Sequence, residues 1–198
     1  ILQGARDNWF RPSDVCVGPD GALYVADWFD ARVGGHGTRD DGFTGAIYRI
    51  APKGFKSVVP KLDLNTIEGQ IAALKSPAVN VRNSGFNRLK AAGAKAVPAV
   101  AALLNDSDSF IAARAVWLLA QLGDEGIAKV KPLLESKDAT QRLVAYRALR
   151  RANHEVLAMA AKMASDPDSA VRREVAVTLR DVPAEQSVPI LVEIAGRF

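Results

Sequence analysis

The chain has 198 residues, 48% of them hydrophobic and 24% charged, a balance that excludes a disordered or fibrous polymer. The net charge of +4 is too mild to mark a nucleic-acid binder by itself: residues 1–64 hold eight basic and eight acidic side chains, residues 65–198 hold 18 and 14. One cysteine, Cys16, rules out an intrachain disulfide, and no apolar run reaches the eighteen or so residues of a membrane span.

The first elements in the chain are strands. Val15 and Val17 lead into Gly18-Pro19-Asp20-Gly21, and Leu23, Val25 and Asp27 then alternate with Tyr24, Ala26 and Trp28. Proline pre-sets a negative φ and glycine supplies a positive one, so this stretch predicts a β-hairpin. A third strand is expected near residues 45–51, "GAIYRIA". Alternation between two valines predicts Cys16 to be a buried, inert thiol.

Between the second and third strands runs "DWFDARVGGHGTRDDGFTG", the one stretch that gathers groups capable of chemistry. Its carboxylates Asp27, Asp30, Asp40 and Asp41 are hard oxygen donors suited to Ca²⁺. Asp30, Arg32, His36 and Arg39 could instead contact a cofactor. The plain reading beside these is a solvated loop whose glycines permit turns. His36 and His154 are the only histidines and lie in different regions, which argues against a zinc site.

From residue 65 onward the chain superposes on itself. Leucine falls at 89, 119, 149 and 179; arginine falls at 82, 142 and 172, with Ala112 the exception. Asp108, Asp138 and Asp168 precede three of these segments at one common step, where a carboxylate caps free helix donors. Gly93, Gly123 and Asn153 supply the left-handed residue that ends the first helix of each unit, and a second amphipathic helix follows. Pro98 and Pro189 fit a first helical turn, whereas Pro132 should kink its helix or move its start. Asp138–Arg142 and Asp168–Arg172, each four apart, predict a ladder of exposed ion pairs worth about 0.3–0.5 kcal/mol apiece.

The motif Asp-x-x-x-Arg-x-x-x-Ala-x-x-Leu, clearest at Asp168, Arg172, Ala176 and Leu179, resembles the HEAT-repeat family of α-solenoids in its short bacterial form. The fold class is therefore mostly α: an α-α superhelix of HEAT-like repeats with a period of about thirty, preceded by a small antiparallel sheet. Strand, tight turn, "LYVAD", loop and "IYRI" resemble one blade of a sugar-dehydrogenase-like β-propeller, whose better-known members use pyrroloquinoline quinone. The combination is similar to bacterial proteins labelled membrane-bound dehydrogenases, which join such a propeller to HEAT repeats and a cytochrome-c-like haem domain.

The expected organisation is a blade-like meander at 1–54, a linker at 55–64 and repeats at 65–198. The resemblance implies a non-catalytic interaction or spacer scaffold belonging to a larger protein, with adjacent domains or a protein partner bound along the repeats. No cofactor is expected in this chain; quinone, Ca²⁺ and haem would belong to the parent, which the resemblance places in the periplasm or cell envelope. The alternative is part of a quinone-dependent sugar or alcohol oxidoreductase, with loop 27–44 completing a cofactor or substrate site. Arginines concentrate on first helices rather than on the inner surface that DNA-binding solenoids make cationic, which argues against nucleic acid. A lone blade must also cover its apolar faces. Docking near Ile67, Ile71 and Leu74, or weak pairing of its edge with a second copy, would do so.

Overall fold

The computed structural model describes residues 10–28 and 45–197. The architecture is mostly α, with a three-stranded antiparallel sheet at the N-terminal end. The chain divides into two compact units between Gly85 and Phe86.

In the first unit, β1 (Pro12–Val17), β2 (Leu23–Asp27) and β3 (Ala46–Ile50) pair in chain order, with β2 in the centre. Cys16 stands opposite Tyr24, and Tyr24 opposite Arg49. Gly21 takes φ +82° in the β1–β2 turn, the left-handed conformation the sequence demanded of it. The turn is fixed by the Asp20 carboxylate, which accepts from the Ala22 N–H, the Ser57 hydroxyl at 2.7 Å, the Tyr24 hydroxyl and the Arg49 guanidinium. Arg49 also lies over the Phe55 ring. The first residues of the expected linker are thereby tied back to the hairpin.

Cys16 is exposed, contrary to the expectation of a buried thiol. The physical reason is its strand: β1 is an edge, and alternation shows only that a residue shares a face, not that the face is covered. A cleft of about 340 Å³ is lined by residues of all three strands and by Ala78, Asn80 and Val81. Ile67, Ile71 and Leu74, the expected docking residues, are not among its lining.

Helix α1 (Ile67–Lys75) is capped by the Thr66 hydroxyl, which accepts from the Gly69 N–H. It meets α2 (Val79–Ala92) at Gly85, where an added Cβ would lie 2.6 Å from the Gln70 carbonyl oxygen. Only glycine allows that approach.

The second unit continues from α2 into α3 (Val97–Ala102), α4 (Ser109–Leu119), α5 (Gly123–Val130), α6 (Ala139–Arg151), α7 (Val156–Met163), α8 (Ser169–Thr178) and α9 (Ala184–Ala195). Two layers form: α6 packs between α4 and α8, while α3 packs on α5 and α7 on α9. The recurring leucines 89, 119, 149 and 179 are all buried between them. Gly93, Gly123 and Asn153 have positive φ, as expected at helix ends.

The prolines behave in three ways. Pro98 occupies the first turn of α3. At Pro132 the α-helix stops, α5 ending at Val130 and the chain continuing as a 3₁₀ turn from Lys131 to Glu135. Pro189, expected in a first turn, lies inside α9, because that helix starts earlier, at Ala184, directly after Pro183. The Glu185 carbonyl at the i−4 position then has no helical donor from residue 189.

Candidate functional site

The polar residues that recur with the repeat converge at the tight turn before each first helix. Two columns of oxygens build that turn. At Ser76, Asp106, Ser136 and Asp166 the side-chain oxygen accepts from the N–H two residues on. Asp108, Asp138 and Asp168 then cap α4, α6 and α8, each accepting from the N–H two residues on at 2.8 Å. The column at 76, 106, 136 and 166 was missed by the sequence reading, although it keeps the same thirty-residue register. Its alternation of Ser and Asp hid it.

A third column supplies the donors. Arg82 Nη1 reaches the carbonyls of Ser76 and Pro77, Arg142 Nη1 those of Ser136 and Lys137, and Arg172 Nη1 those of Asp166 and Pro167. Each arginine therefore closes the turn six and five residues before itself. Arg142 goes further: Nε and Nη2 form a fork onto the two Asp166 oxygens at 2.7 and 2.8 Å. This pair joins one repeat to the next and is nearly closed to water. Charge-assisted, two-pronged contacts of this kind are the strong members of their class.

The fork of Arg142 goes to a longer-range partner than the expected Asp138. Asp138 serves as the cap of α6, and the Arg142 fork is held by Asp166, 24 residues on. Asp168 likewise spends its carboxylate on the Ala170 and Val171 N–H groups, while Arg172 extends Nη2 to the Arg197 carbonyl. The reason is geometric. An N-cap side chain folds back over its own helix start, whereas a long guanidinium at the first turn projects toward the neighbouring repeat.

Electrostatics follow the same wiring. The hydrogen bonds that Arg142 donates to Asp166 raise its pKa above the ordinary value, against the effect of burial. Burial pushes the Asp166 carboxyl up, but the Arg142 fork, the Asp168 N–H and the neighbouring Arg172 charge together bring it below the usual range. On the exposed side of this layer, Arg147 and Arg150 of α6 both reach Glu174 of α8. In the other layer Lys131 pairs with Glu155 and Lys162 with Glu135. Much of the basic charge noted in the sequence is therefore spent in joining repeats.

Of the loop residues, Asp27 lies within the described structure, where its carboxylate accepts the Arg11 N–H at 2.8 Å. Asp30, Arg32, His36, Arg39, Asp40 and Asp41 lie outside the described residues. Among the described residues no helix is long and apolar enough to cross a membrane.

Residues 127–197 match the family model described as HEAT repeats. The helical region is a HEAT-like repeat. The N-terminal segment, residues 2–53, matches a domain of unknown function, DUF7133. No curated protein matches the chain.

Proposed function

We propose that the chain is a non-catalytic scaffold: a HEAT-like repeat that holds adjacent domains, or a partner protein, at fixed geometry. The observation that carries this reading is the use of the recurring polar groups. Caps and turn oxygens hold each repeat's own turn and the Arg142–Asp166 fork joins one repeat to the next, so the function of the stack is read in its shape and surface.

We further infer that the sheet is a blade of a larger propeller, joined to these repeats in a longer protein of the propeller–HEAT–cytochrome kind. In support, among the described residues β1 and β3 each have one edge without a strand partner, and Val15, Ile47 and Tyr48 are exposed on them. Neighbouring blades cover such surfaces in a closed ring. Quinone, Ca²⁺ and haem would in that case be bound by other parts of the parent, which would act in the cell envelope.

The test is lysine cross-linking of the full-length protein in its native extract, read by mass spectrometry. Reproducible links from Lys95, Lys129 or Lys137 to one other domain or one other polypeptide are expected. Links that vary randomly among abundant bystanders would overturn the scaffold reading.

A further inference from the structure

The last helix departs from the others on one face. In α9, Val188, Leu191, Val192 and Ala195 fall at i, i+3, i+4 and i+7, which puts them on a single stripe. The three larger side chains are 51%, 37% and 65% exposed, while Ser187 and Ile194 hold the core side of the helix. One repeat earlier the equivalents of those three are Ala158, Ala161 and Lys162; two repeats earlier they are Ala128, Lys131 and Pro132. All six are exposed. Although α9 itself packs on α7, Ala158, Ala161 and Lys162 stay open to water. A further repeat laid on α9 would therefore leave its stripe open as well. Within the second unit, this face carries large branched side chains only in α9, and such a cluster is seldom left in water.

We propose that the stripe pairs with the same stripe of a second copy of this chain, α9 against α9, antiparallel about a two-fold axis. Self-complementarity selects the occupant. An axis passing between Leu191 and Val192 sets each against the other and sets Val188 against Ala195, so the stripe maps onto itself. The larger valine then meets the smaller alanine at both ends. Charge agrees with this orientation. Exposed Glu185 stands one turn before the stripe and exposed Arg197 just after it, so antiparallel helices bring opposite charges together, whereas parallel ones set Glu185 beside Glu185. Arg197 already bridges its own Glu193 at an exposed site, so the charges orient the pair and apolar burial drives it. One pair of twelve-residue helices covers less than the roughly 1,200 Å² of a stable interface, so the dimer is weak and concentration-dependent.

This inference goes beyond the scaffold reading, whose cross-links it neither needs nor alters. Sedimentation of chain 1–198 in reducing buffer, where exposed Cys16 cannot link copies, should show a monomer–dimer equilibrium with a Kd on the order of 100 μM. Val192→Lys places like charges at the axis and should weaken the dimer about tenfold or more; Val188→Lys, at a second exposed position, should do the same. Neither change should move the thermal midpoint of the dilute protein. In a Cys16→Ser background, Leu191→Cys beside the axis should oxidise to a linked dimer. Glu185→Cys, about 20 Å from its counterpart in an antiparallel pair, should not. A chain that stays monomeric at about 1 mM, a dimer that survives both lysine changes, open-ended association, or linkage through Glu185→Cys would each overturn the pairing.

Discussion

The two kinds of secondary structure in this chain solve burial in opposite ways. Each helical repeat presents its apolar face to a neighbour of the same design, so Leu89, Leu119 and Leu149 are at 0% exposure and Leu179 at 2%. Among the described residues the sheet stands as a single three-stranded unit. Val15 and Ile47, on its two outer strands, are 61% and 75% exposed. Its β1–β2 turn is tied by a polar network around Asp20. A repeated element inherits its partners from its own sequence; a single blade-like sheet needs partners from elsewhere.

The sharpest way to break this contrast is inside the repeats. Replacing Leu149 by Ala should cost about 2–5 kcal/mol in chemical denaturation, since it empties a fully buried position flanked by repeats on both sides. The same change at Leu179, nearer the end of the stack, should cost less. Equal costs would show that the repeats do not lean on one another.

Next comes the inter-repeat fork. Asp166→Ala leaves the Arg142 guanidinium buried with its carbonyl partners alone, and should cost about 3 kcal/mol. Because the folded carboxyl titrates below its unfolded value, its contribution is fully present above about pH 4 and is lost as the pH falls through the folded value. Asp166→Ala should therefore flatten the acid limb of the helical unfolding curve. An unchanged acid limb would assign the acid sensitivity to other carboxylates.

The sheet should respond to acid for a parallel reason and with a smaller effect on the whole molecule. The Ser57 hydroxyl, with the Ala22 N–H, Arg49 and Tyr24 behind it, holds the Asp20 carboxyl far below the usual carboxylate range despite its burial. Its stabilisation of the hairpin is present above about pH 4 and declines as the pH drops toward the folded value. Asp20→Asn should loosen the hairpin at neutral pH, read as faster amide exchange at Ala22 and Val25, while α6 and α8 stay protected. Simultaneous loss of protection in the helices would mean that the two regions unfold together.

The smallest effect belongs to the half-exposed bridge from Arg147 to Glu174. Arg147→Ala should cost less than about 1 kcal/mol, because Arg150 still reaches Glu174, and the cost should shrink with added salt. A larger, salt-independent loss would place this pair with the buried fork.

The local chemistry of this chain was legible without its tertiary structure. Capping aspartates, left-handed residues at helix ends, the positive φ of Gly21 and the buried leucine column all depend on contacts within a few residues, or on a period the chain repeats. Pro189 was misjudged because helix starts shift by a turn at little cost. Cys16 was misjudged because alternation shows which residues share a face, while burial depends on what lies over it. The pairing of Arg142 with Asp166 lay beyond the sequence for a related reason. At four residues' spacing Asp138 looked the natural partner, but its oxygen was already committed to the backbone, and only the packing of α6 on α8 brings a residue 24 positions away to within 2.7 Å.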